Sequence, residues 1–316
     1  MGVPLFSWRD GDAVNLSLLI CQLHAIAGHK ESTITQIGAA GFIFWWLWHR
    51  SILSVNRAKA VSSFLMDQLR LSPSRINDFN NCPQLYKYRT IDLLPEPPSI
   101  DAERGTLIHT ILEDLFELPA ADRDLERATE LLPSRWQAQI DAKPAIAELV
   151  LDQGAWFKRA EELLGNYFTL EAPSTFEPTY RELHLEMDLS EKLYLHGYVD
   201  RLDVAATGEV RIVDYKTGKS PKPGWEEKAL FQLRVYALLY WKNHGVIPKL
   251  LQLIYLGDTR LVKSAPTEAD LIKTERILFD IAEDILRAIE RNEFRPRPTR
   301  LCDWCFFKAI CPAHVG

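Results

Sequence analysis

The chain has 316 residues, of which 47% are hydrophobic and 25% charged, and its formal net charge is −6. This length and composition support a globular protein with one large core or two smaller ones. The negative balance excludes a global positive field as the source of affinity for nucleic acid. Phosphate groups would have to be held by bound metal ions and by local basic residues, for which the candidates are Arg89, Arg104, Lys219, Lys222, Arg295, Arg297 and Arg300.

The first 65 residues differ in kind from the rest of the chain. Residues 37–48 form an apolar run of twelve, shorter than the roughly 20 residues that a membrane span needs. The start lacks a basic region followed directly by an apolar stretch and a cleavage site, so we expect no signal peptide, a cytoplasmic protein and no stable membrane association. We predict that residues 1–65 are an extension and that residues 66–316 form the working domain. A regulatory or membrane-associated segment is the alternative.

Two helical regions precede the first long predicted strand. Between Gly105 and Phe116 apolar residues recur with a helical period, and His109 stands one turn before Glu113. Residues 119–178 are mainly helical in pattern, with interleaved charges, and we interpret them as a helical insertion. Its predicted core residues are Trp136, Trp156, Phe157, Leu163 and Leu164.

A predicted hairpin follows the insertion. Residues 193–203 and 211–218 have strand composition, and residues 206–209 between them have turn composition. If the hairpin folds about position 207, Asp200 lies opposite Asp214, because each is seven residues from that centre. Successive strand residues point to opposite faces, so Asp214 and Lys216 project from the same face. Two carboxylates and a lysine are therefore expected to converge.

These three groups have a definite chemical use. Carboxylate oxygens suit hard divalent ions such as Mg2+ or Mn2+, which can activate water and stabilise charge on a phosphoryl oxygen. A neighbouring lysine can orient the nucleophile or stabilise the developing charge. The alternative is a surface hairpin with solvated charges. It is disfavoured because Asp214 follows the apolar pair Ile212 and Val213 and precedes a glycine-containing exit.

Two further helices are predicted after the hairpin. In the first, residues 226–243, Gln232 and Tyr236 fall on one face at a spacing of four. The second is an amphipathic helix over residues 267–291, and we expect the prolines at 296 and 298 to end it. We find no glycine-rich phosphate loop followed by Lys and Ser or Thr, so an ATP-driven motor is not expected in this chain.

Four of the five cysteines form a pattern. Cys302, Cys305 and Cys311 lie within ten positions, Cys82 lies far upstream, and Cys21 has no partner in this pattern. Without a secretory signal a disulfide framework is not expected, so these cysteines are interpreted as metal ligands. Their spacing leaves zinc and an iron-sulfur cluster equally open. We expect Trp304, Phe306 and Phe307 to shield the site from water.

Taken in chain order, these motifs resemble the PD-(D/E)xK nuclease superfamily, specifically its RecB-like exonuclease branch, which includes the CRISPR-associated iron-sulfur nucleases. The resemblance extends from about Leu71 to the C-terminus. It implies that His109, Asp200, Asp214 and the carbonyl of Tyr215 bind one or two Mg2+ or Mn2+ ions and that Lys216 is catalytic. It assigns a supporting or DNA-binding role to Gln232 and Tyr236. Glu182 is expected beside the metal ligands without binding the metal itself.

The resemblance also implies the fold and the second cofactor. It implies an α/β restriction-endonuclease-like core with a central mixed sheet, flanking helices and a helical insertion. It further implies that Cys82, Cys302, Cys305 and Cys311 hold a [4Fe-4S] cluster, which would act as a staple between position 82 and the cysteine segment at 299–316.

The sequence thus predicts a metal-dependent exonuclease that hydrolyses DNA from single-stranded ends in repair or recombination, beside a possible helicase or repair partner. Two alternatives stay open. One is a nuclease of CRISPR adaptation, and the other is a non-catalytic scaffold that binds DNA ends. The intact set of His109, Asp200, Asp214 and Lys216 argues against the scaffold.

Overall fold

The structure is a computed structural model, and it describes residues 68–315. The predicted extension at 1–65 and its apolar run lie outside the described residues. Within residues 68–315 a six-stranded mixed sheet is covered by helices on both faces, which confirms the expected α/β class. In this part of the chain no helix combines the length and apolar character that crossing a bilayer requires.

The sheet contains both parallel and antiparallel pairs. Its strands are β1 (Leu69–Leu71), β2 (Tyr180–Ser190), β3 (Leu193–Val204), β4 (Val210–Lys216), β5 (Leu250–Tyr255) and β6 (Arg260–Ser264). Strands β1 and β3, and β4 and β5, are parallel, and the other pairs are antiparallel. The helices are α1 (Pro73–Asn81), α2 (Pro83–Tyr86), α3 (Ile100–Leu115), α4 (Leu125–Glu130), α5 (Leu132–Ala142), α6 (Ala145–Leu149), α7 (Gln153–Leu170), α8 (Glu226–His244) and α9 (Glu268–Arg291).

Strand β3 branches the sheet. β2 pairs along one edge of β3, while β1 and β4 share the other edge at opposite ends. β1 meets β3 at 193–195 and β4 meets it at 201–204. Within the described chain this leaves 196–200 of β3 without a strand partner on that edge. A fork between β1 and β4 is therefore open to side chains from the helices, and Asp200 lies at its closed end.

The hairpin of β3 and β4 has the predicted register. Arg201 pairs with Val213 and Val204 with Val210, so the strands are symmetric about position 207. Gly208 has φ of 89°, a left-handed conformation that glycine adopts without steric cost, and it closes the turn. This register brings Asp200 next to Asp214, as the sequence predicts.

Two hydrophobic clusters lie on the two faces of the sheet. One face packs against α8 and α9 through residues such as Ile212 and Leu253. The other packs against α3 and the helices of the 119–178 segment through Val213 and Ile254. In that segment Trp136, Trp156, Leu163 and Leu164 are buried as predicted, and Phe157 is half-buried.

Helix α9 ends for a different reason than the sequence indicates. It starts after a capping box formed by Thr267 and Asp270, and it ends at Arg291. Asn292 then adopts a left-handed conformation with φ of 48°, which terminates the helix. The prolines at 296 and 298 lie beyond this point, so their predicted role as the stop was wrong.

Candidate active site

Strand β4 carries the central pair of the site. Asp214 is 1% exposed, and its Oδ2 lies 2.6 Å from Nζ of Lys216 on the same face of the strand. Gln232 on α8 connects the two, because its amide nitrogen donates to Asp214 Oδ1 at 2.9 Å and its Oε1 accepts from Lys216 Nζ at 3.2 Å. These contacts hold the Asp214 carboxylate between two elements.

The Tyr215 peptide links Asp200 to His109. Asp200 Oδ2 accepts a hydrogen bond from the backbone N–H of Tyr215 at 2.7 Å. His109 projects from α3, with Nε2 3.0 Å from the Tyr215 carbonyl oxygen and Nδ1 3.4 Å from Asp200 Oδ2. The structure thus brings together His109, Asp200, Asp214 and the Tyr215 carbonyl from three elements.

Glu182 joins this group from strand β2. The neighbouring pairs, Arg181 with Arg201 and Leu183 with Val199, place Glu182 opposite Asp200 across the β2–β3 ladder. Its φ of 45° is unusual for a non-glycine residue within a strand, and such strain concentrates at functional sites. Ligand atoms of His109, Glu182 and Asp200 all lie within 4.8 Å of one another, a spacing suited to one metal ion.

The electrostatics of the site show an excess of negative charge. Burial, reinforced by the charge of Asp200, raises the pKa of Asp214 to about 6 and that of Glu182 to about 7. For Asp214 the ammonium of Lys216 opposes this shift only in part. Burial lowers the pKa of His109, but its hydrogen bond with Asp200 and the nearby carboxylates outweigh burial and raise it overall. A divalent cation would relieve this repulsion.

Gly197 makes room for Tyr236, which in turn holds Gln232. A Cβ atom at position 197 would lie 2.5 Å from Cε1 of Tyr236. The Tyr236 hydroxyl accepts a hydrogen bond from the Gln232 amide nitrogen at 2.9 Å, so that nitrogen bridges Tyr236 and Asp214. The glycine three residues before Asp200 therefore has a packing role that its place in the motif does not reveal.

A buried ion-pair cluster supports the hairpin from behind. Arg201 is fully buried, and its guanidinium makes two hydrogen bonds to Glu171 at 2.6 and 2.9 Å. It also contacts Asp203 and donates to the Tyr215 hydroxyl at 2.6 Å. Because Glu171 directly follows α7, this cluster ties the helical insertion to the two strands that carry the acids. Sequence analysis did not identify it.

The four patterned cysteines line one cavity of about 80 Å3 between α2 and the C-terminal turns at 300–310. Cys82 Sγ accepts from the backbone N–H of Arg297 at 3.3 Å, and Cys302 Sγ accepts from that of Thr299 at 3.4 Å. Burial raises the pKa of Cys305, with smaller contributions from the other three thiols. The donor set, four thiols with N–H groups directed at two of them, fits a thiolate-bound metal centre.

Only one of the three predicted aromatic shields is buried at this cavity. Phe307 is 3% exposed and packs against Tyr88 with ring centroids 4.9 Å apart. Trp304 and Phe306 are 79% and 56% exposed, so their predicted shielding role was wrong. Both lie on short turns whose opposite side faces the core.

Several of the basic residues suggested by the sequence are neutralised by partners. Arg89 forms ion pairs with Asp78 and Glu96, and Arg104 and Arg295 each pair with a nearby carboxylate, Asp101 and Glu293 respectively. Ion-paired guanidinium groups attract phosphate less strongly than free ones.

Comparison with known proteins agrees with this geometry. The family model of the PD-(D/E)XK nuclease superfamily matches residues 70–312. The Gene 69 protein of Mycobacterium phage D29 is 27% identical, over 78% of this chain and 99% of its own length. A region of 183 residues, 46% of this chain, is 28% identical to 15% of one subunit of the ATP-dependent helicase/deoxyribonuclease of Acetivibrio thermocellus.

A solved structure also shares the fold. The crystal structure of a candidate exonuclease from Eubacterium rectale superimposes with a TM-score of 0.51. The match covers 86% of this chain and 93% of that protein, at 14% sequence identity. At this identity the likeness shows the fold, and it agrees with the expected restriction-endonuclease-like core.

Proposed function

This chain belongs to the PD-(D/E)XK nuclease superfamily, and from this premise we propose that it is a metal-dependent exonuclease that hydrolyses DNA from single-stranded ends. The observation that carries the proposal is the convergence of His109, Glu182 and Asp200 within 4.8 Å, beside the buried pair of Asp214 and Lys216. Nucleases of this superfamily use divalent metals, and the excess carboxylate charge of the site suits such an ion.

The proposed metal ligands are His109, Glu182 and Asp200, with Asp214 and the Tyr215 carbonyl beside them. Oxygen ligands dominate this set, as Mg2+ and Mn2+ prefer. When bound, such an ion supplies Lewis acidity for a phosphoryl oxygen and lowers the pKa of a water molecule. This proposal extends the sequence prediction, because it makes Glu182 a ligand.

The remaining residues act on the substrate side. Lys216, 33% exposed at its side chain, reaches solvent from the buried carboxylate of Asp214 and can orient the attacking water or stabilise charge on the phosphoryl group. Gln232 fixes Asp214 and Lys216 relative to each other through its two hydrogen bonds. Tyr236 is a positioning residue that acts through Gln232.

The direct test is cleavage of end-labelled single-stranded and double-stranded DNA with Mg2+, Mn2+ or EDTA. We expect metal-dependent release of short products from single strands and none from Asp214→Asn. The matched control is Glu283→Gln, an exposed carboxylate on α9 whose side chain is 71% exposed, and it should cleave like the parent. Binding of DNA ends without cleavage by any metal form would favour the scaffold alternative.

We also propose that Cys82, Cys302, Cys305 and Cys311 hold a [4Fe-4S] cluster. Their convergence on one cavity from distant parts of the chain supports a shared metal centre. Zinc uses the same four-thiolate set, so the cofactor must be identified chemically. Anaerobically purified protein should contain about four iron and four sulfide per chain and absorb in the visible range. Stoichiometric zinc without iron, after iron-replete anaerobic expression, would disprove the cluster.

A DNA-unwinding partner is the proposed setting for this activity. The support is the similarity to a region of a helicase/deoxyribonuclease. Repair or recombination would require such a partner to supply single strands, whereas trimming of new CRISPR spacers would not. Chromosomal neighbours distinguish the two. A helicase gene beside this gene is expected for repair, and CRISPR genes for adaptation.

A further inference from the structure

We propose that the groove between α1 and the start of α8 binds single-stranded DNA by stacking its bases on Tyr198 and Trp225. The inference rests on the proposed nuclease function and adds the substrate path. The groove encloses about 1060 Å3, and Lys216, Gln232 and Tyr236 line its inner end. It is therefore continuous with the candidate active site, and a strand lying in it would lead to the metal ligands.

Two exposed aromatic side chains line the groove. Tyr198 is 55% exposed and Trp225 is 71% exposed. Large aromatic groups are usually at least half-buried in a folded domain, so this exposure within a groove indicates a ligand surface. Trp225 immediately precedes α8, and its backbone N–H donates to the Lys222 carbonyl at 3.0 Å, which fixes the backbone that carries the ring.

Tyr198 is held in an orientation that suits stacking. Its ring lies parallel to that of His184, with centroids 4.6 Å apart and an angle of 25° between the planes. His184 and Tyr198 are cross-strand partners on β2 and β3, so the sheet itself orients the pair. One face of the tyrosine is covered by His184, and more than half of the side chain is open to solvent.

The charges and polar groups of the groove suit a phosphate chain. Its lining contains Lys216 and Lys228, and its one acidic residue, Glu227, is paired with Arg234 at 2.8 Å. Burial lowers the pKa of His196, and the charges of Arg75, His184 and Arg70 lower it further, so the surroundings of this groove residue are electropositive. The second opening of the site, beside Glu113 and Glu182, is acidic and would repel phosphates.

Stacking on these rings selects for unpaired bases. In a duplex the faces of the bases are covered by their neighbours, whereas an unpaired base can leave the stack and lie on an aromatic ring. Such stacking tolerates every sequence, because each base has a π-face. The groove thus favours single strands without reading their sequence.

The test is equilibrium binding of a fluorescent thymidine homopolymer, its duplex with adenine, and a matched abasic strand. Cleavage is prevented with Ca2+ in place of Mg2+. We expect Tyr198→Ala and Trp225→Ala each to weaken single-strand binding about 10-fold. Binding to the duplex and to the abasic strand should be unchanged. Tyr198→Phe should bind like the parent, and so should Tyr180→Ala, a 49% exposed tyrosine that does not line the groove.

Equal losses on all three ligands would overturn the inference, because the rings would then support the fold or the general charge. Unchanged thymidine binding in the double variant would also overturn it, and so would a parent that binds no single strand. Cleavage assays of the same variants separate this failure from failure of the nuclease proposal. A parent that cleaves single strands while the double variant binds them normally retains the nuclease and loses only the stacking path.

Discussion

Gly197 and Tyr236 are in such close contact that a Cβ atom at position 197 would lie 2.5 Å from Cε1 of the tyrosine ring. The ring occupies the volume that every other residue would need, and its hydroxyl holds Gln232 against Asp214. A glycine on β3 thus controls the position of a carboxylate on β4 through a helix.

We therefore expect Gly197→Ala to displace Tyr236, to destabilise the fold by about 1–3 kcal/mol and to reduce cleavage at least tenfold. Urea unfolding and single-turnover cleavage measure the two effects. Gly165→Ala on α7 is the control, because the atom nearest to its added Cβ is 4.0 Å away. If both alanine variants behaved like the parent, Tyr236 would not depend on the glycine.

Glu182 and Lys216 should differ in what their loss removes. Glu182→Gln takes away a proposed ligand, so Mn2+ affinity measured by calorimetry should fall, by roughly 10-fold or more. Lys216→Ala removes no ligand, so Mn2+ affinity should not fall while cleavage at saturating metal drops by about 100-fold or more. Unchanged metal affinity in Glu182→Gln would return this residue to a supporting role.

The metal-free protein should lose stability as pH rises. The pKa values of Asp214, about 6, and of Glu182, about 7, are above those of free carboxyl groups. The stability associated with such raised values is fully present below the ordinary pKa of about 4 and is lost as pH rises through 6 to 7. His109, whose pKa is also raised, contributes in the same direction.

Thermal unfolding at a series of pH values, with EDTA and with Mn2+, checks this expectation. Mn2+ should stabilise the protein more at pH 8 than at pH 5, because protons compete for the ligands. In the Asp214→Asn and Glu182→Gln double variant the loss of stability between these pH values should be smaller. An identical pH profile for the parent and the double variant would contradict the raised pKa values.

Arg201→Met should destabilise the domain severely. The substitution leaves the carboxylates of Glu171 and Asp203 without the guanidinium that neutralises them, which costs about 3–5 kcal/mol for a buried pair. Urea unfolding measures the cost. Arg287→Met, which breaks exposed pairs on α9, should cost less than about 1 kcal/mol. Similar midpoints for the two variants would show that the buried cluster adds little.

Cys82→Ser should lose the metal centre and the staple together. A shared centre closes a loop of more than 200 residues, and a long-loop crosslink is worth on the order of 4 kcal/mol in the chain-entropy model. Iron, sulfide and zinc content and the unfolding midpoint should all fall. Cys21→Ser, outside the four-cysteine pattern, is the control and should change none of them. Full metal content in Cys82→Ser would exclude Cys82 as a ligand.

The sequence by itself determined the features that depend on local periodicity. Asp214 and Lys216 share a face because strand side chains alternate, and Asp200 meets Asp214 because a short turn makes the hairpin register countable. The helices that carry His109, Gln232 and Tyr236 follow from apolar spacing. These relations span few residues, so the geometry of one element or one turn fixes them.

Tertiary structure alone decided the relations that cross elements. Counting from the β2–β3 turn, where Ser190 pairs with Leu193, would place Glu182 opposite Arg201, on the wrong face. A bulge between Asp188 and Ser190 shifts the register by one residue and turns Glu182 toward Asp200. The contacts of Gly197 with Tyr236 and of Arg201 with Glu171 likewise join distant segments. Such contacts arise when whole faces pack together, and no local period in the sequence encodes them.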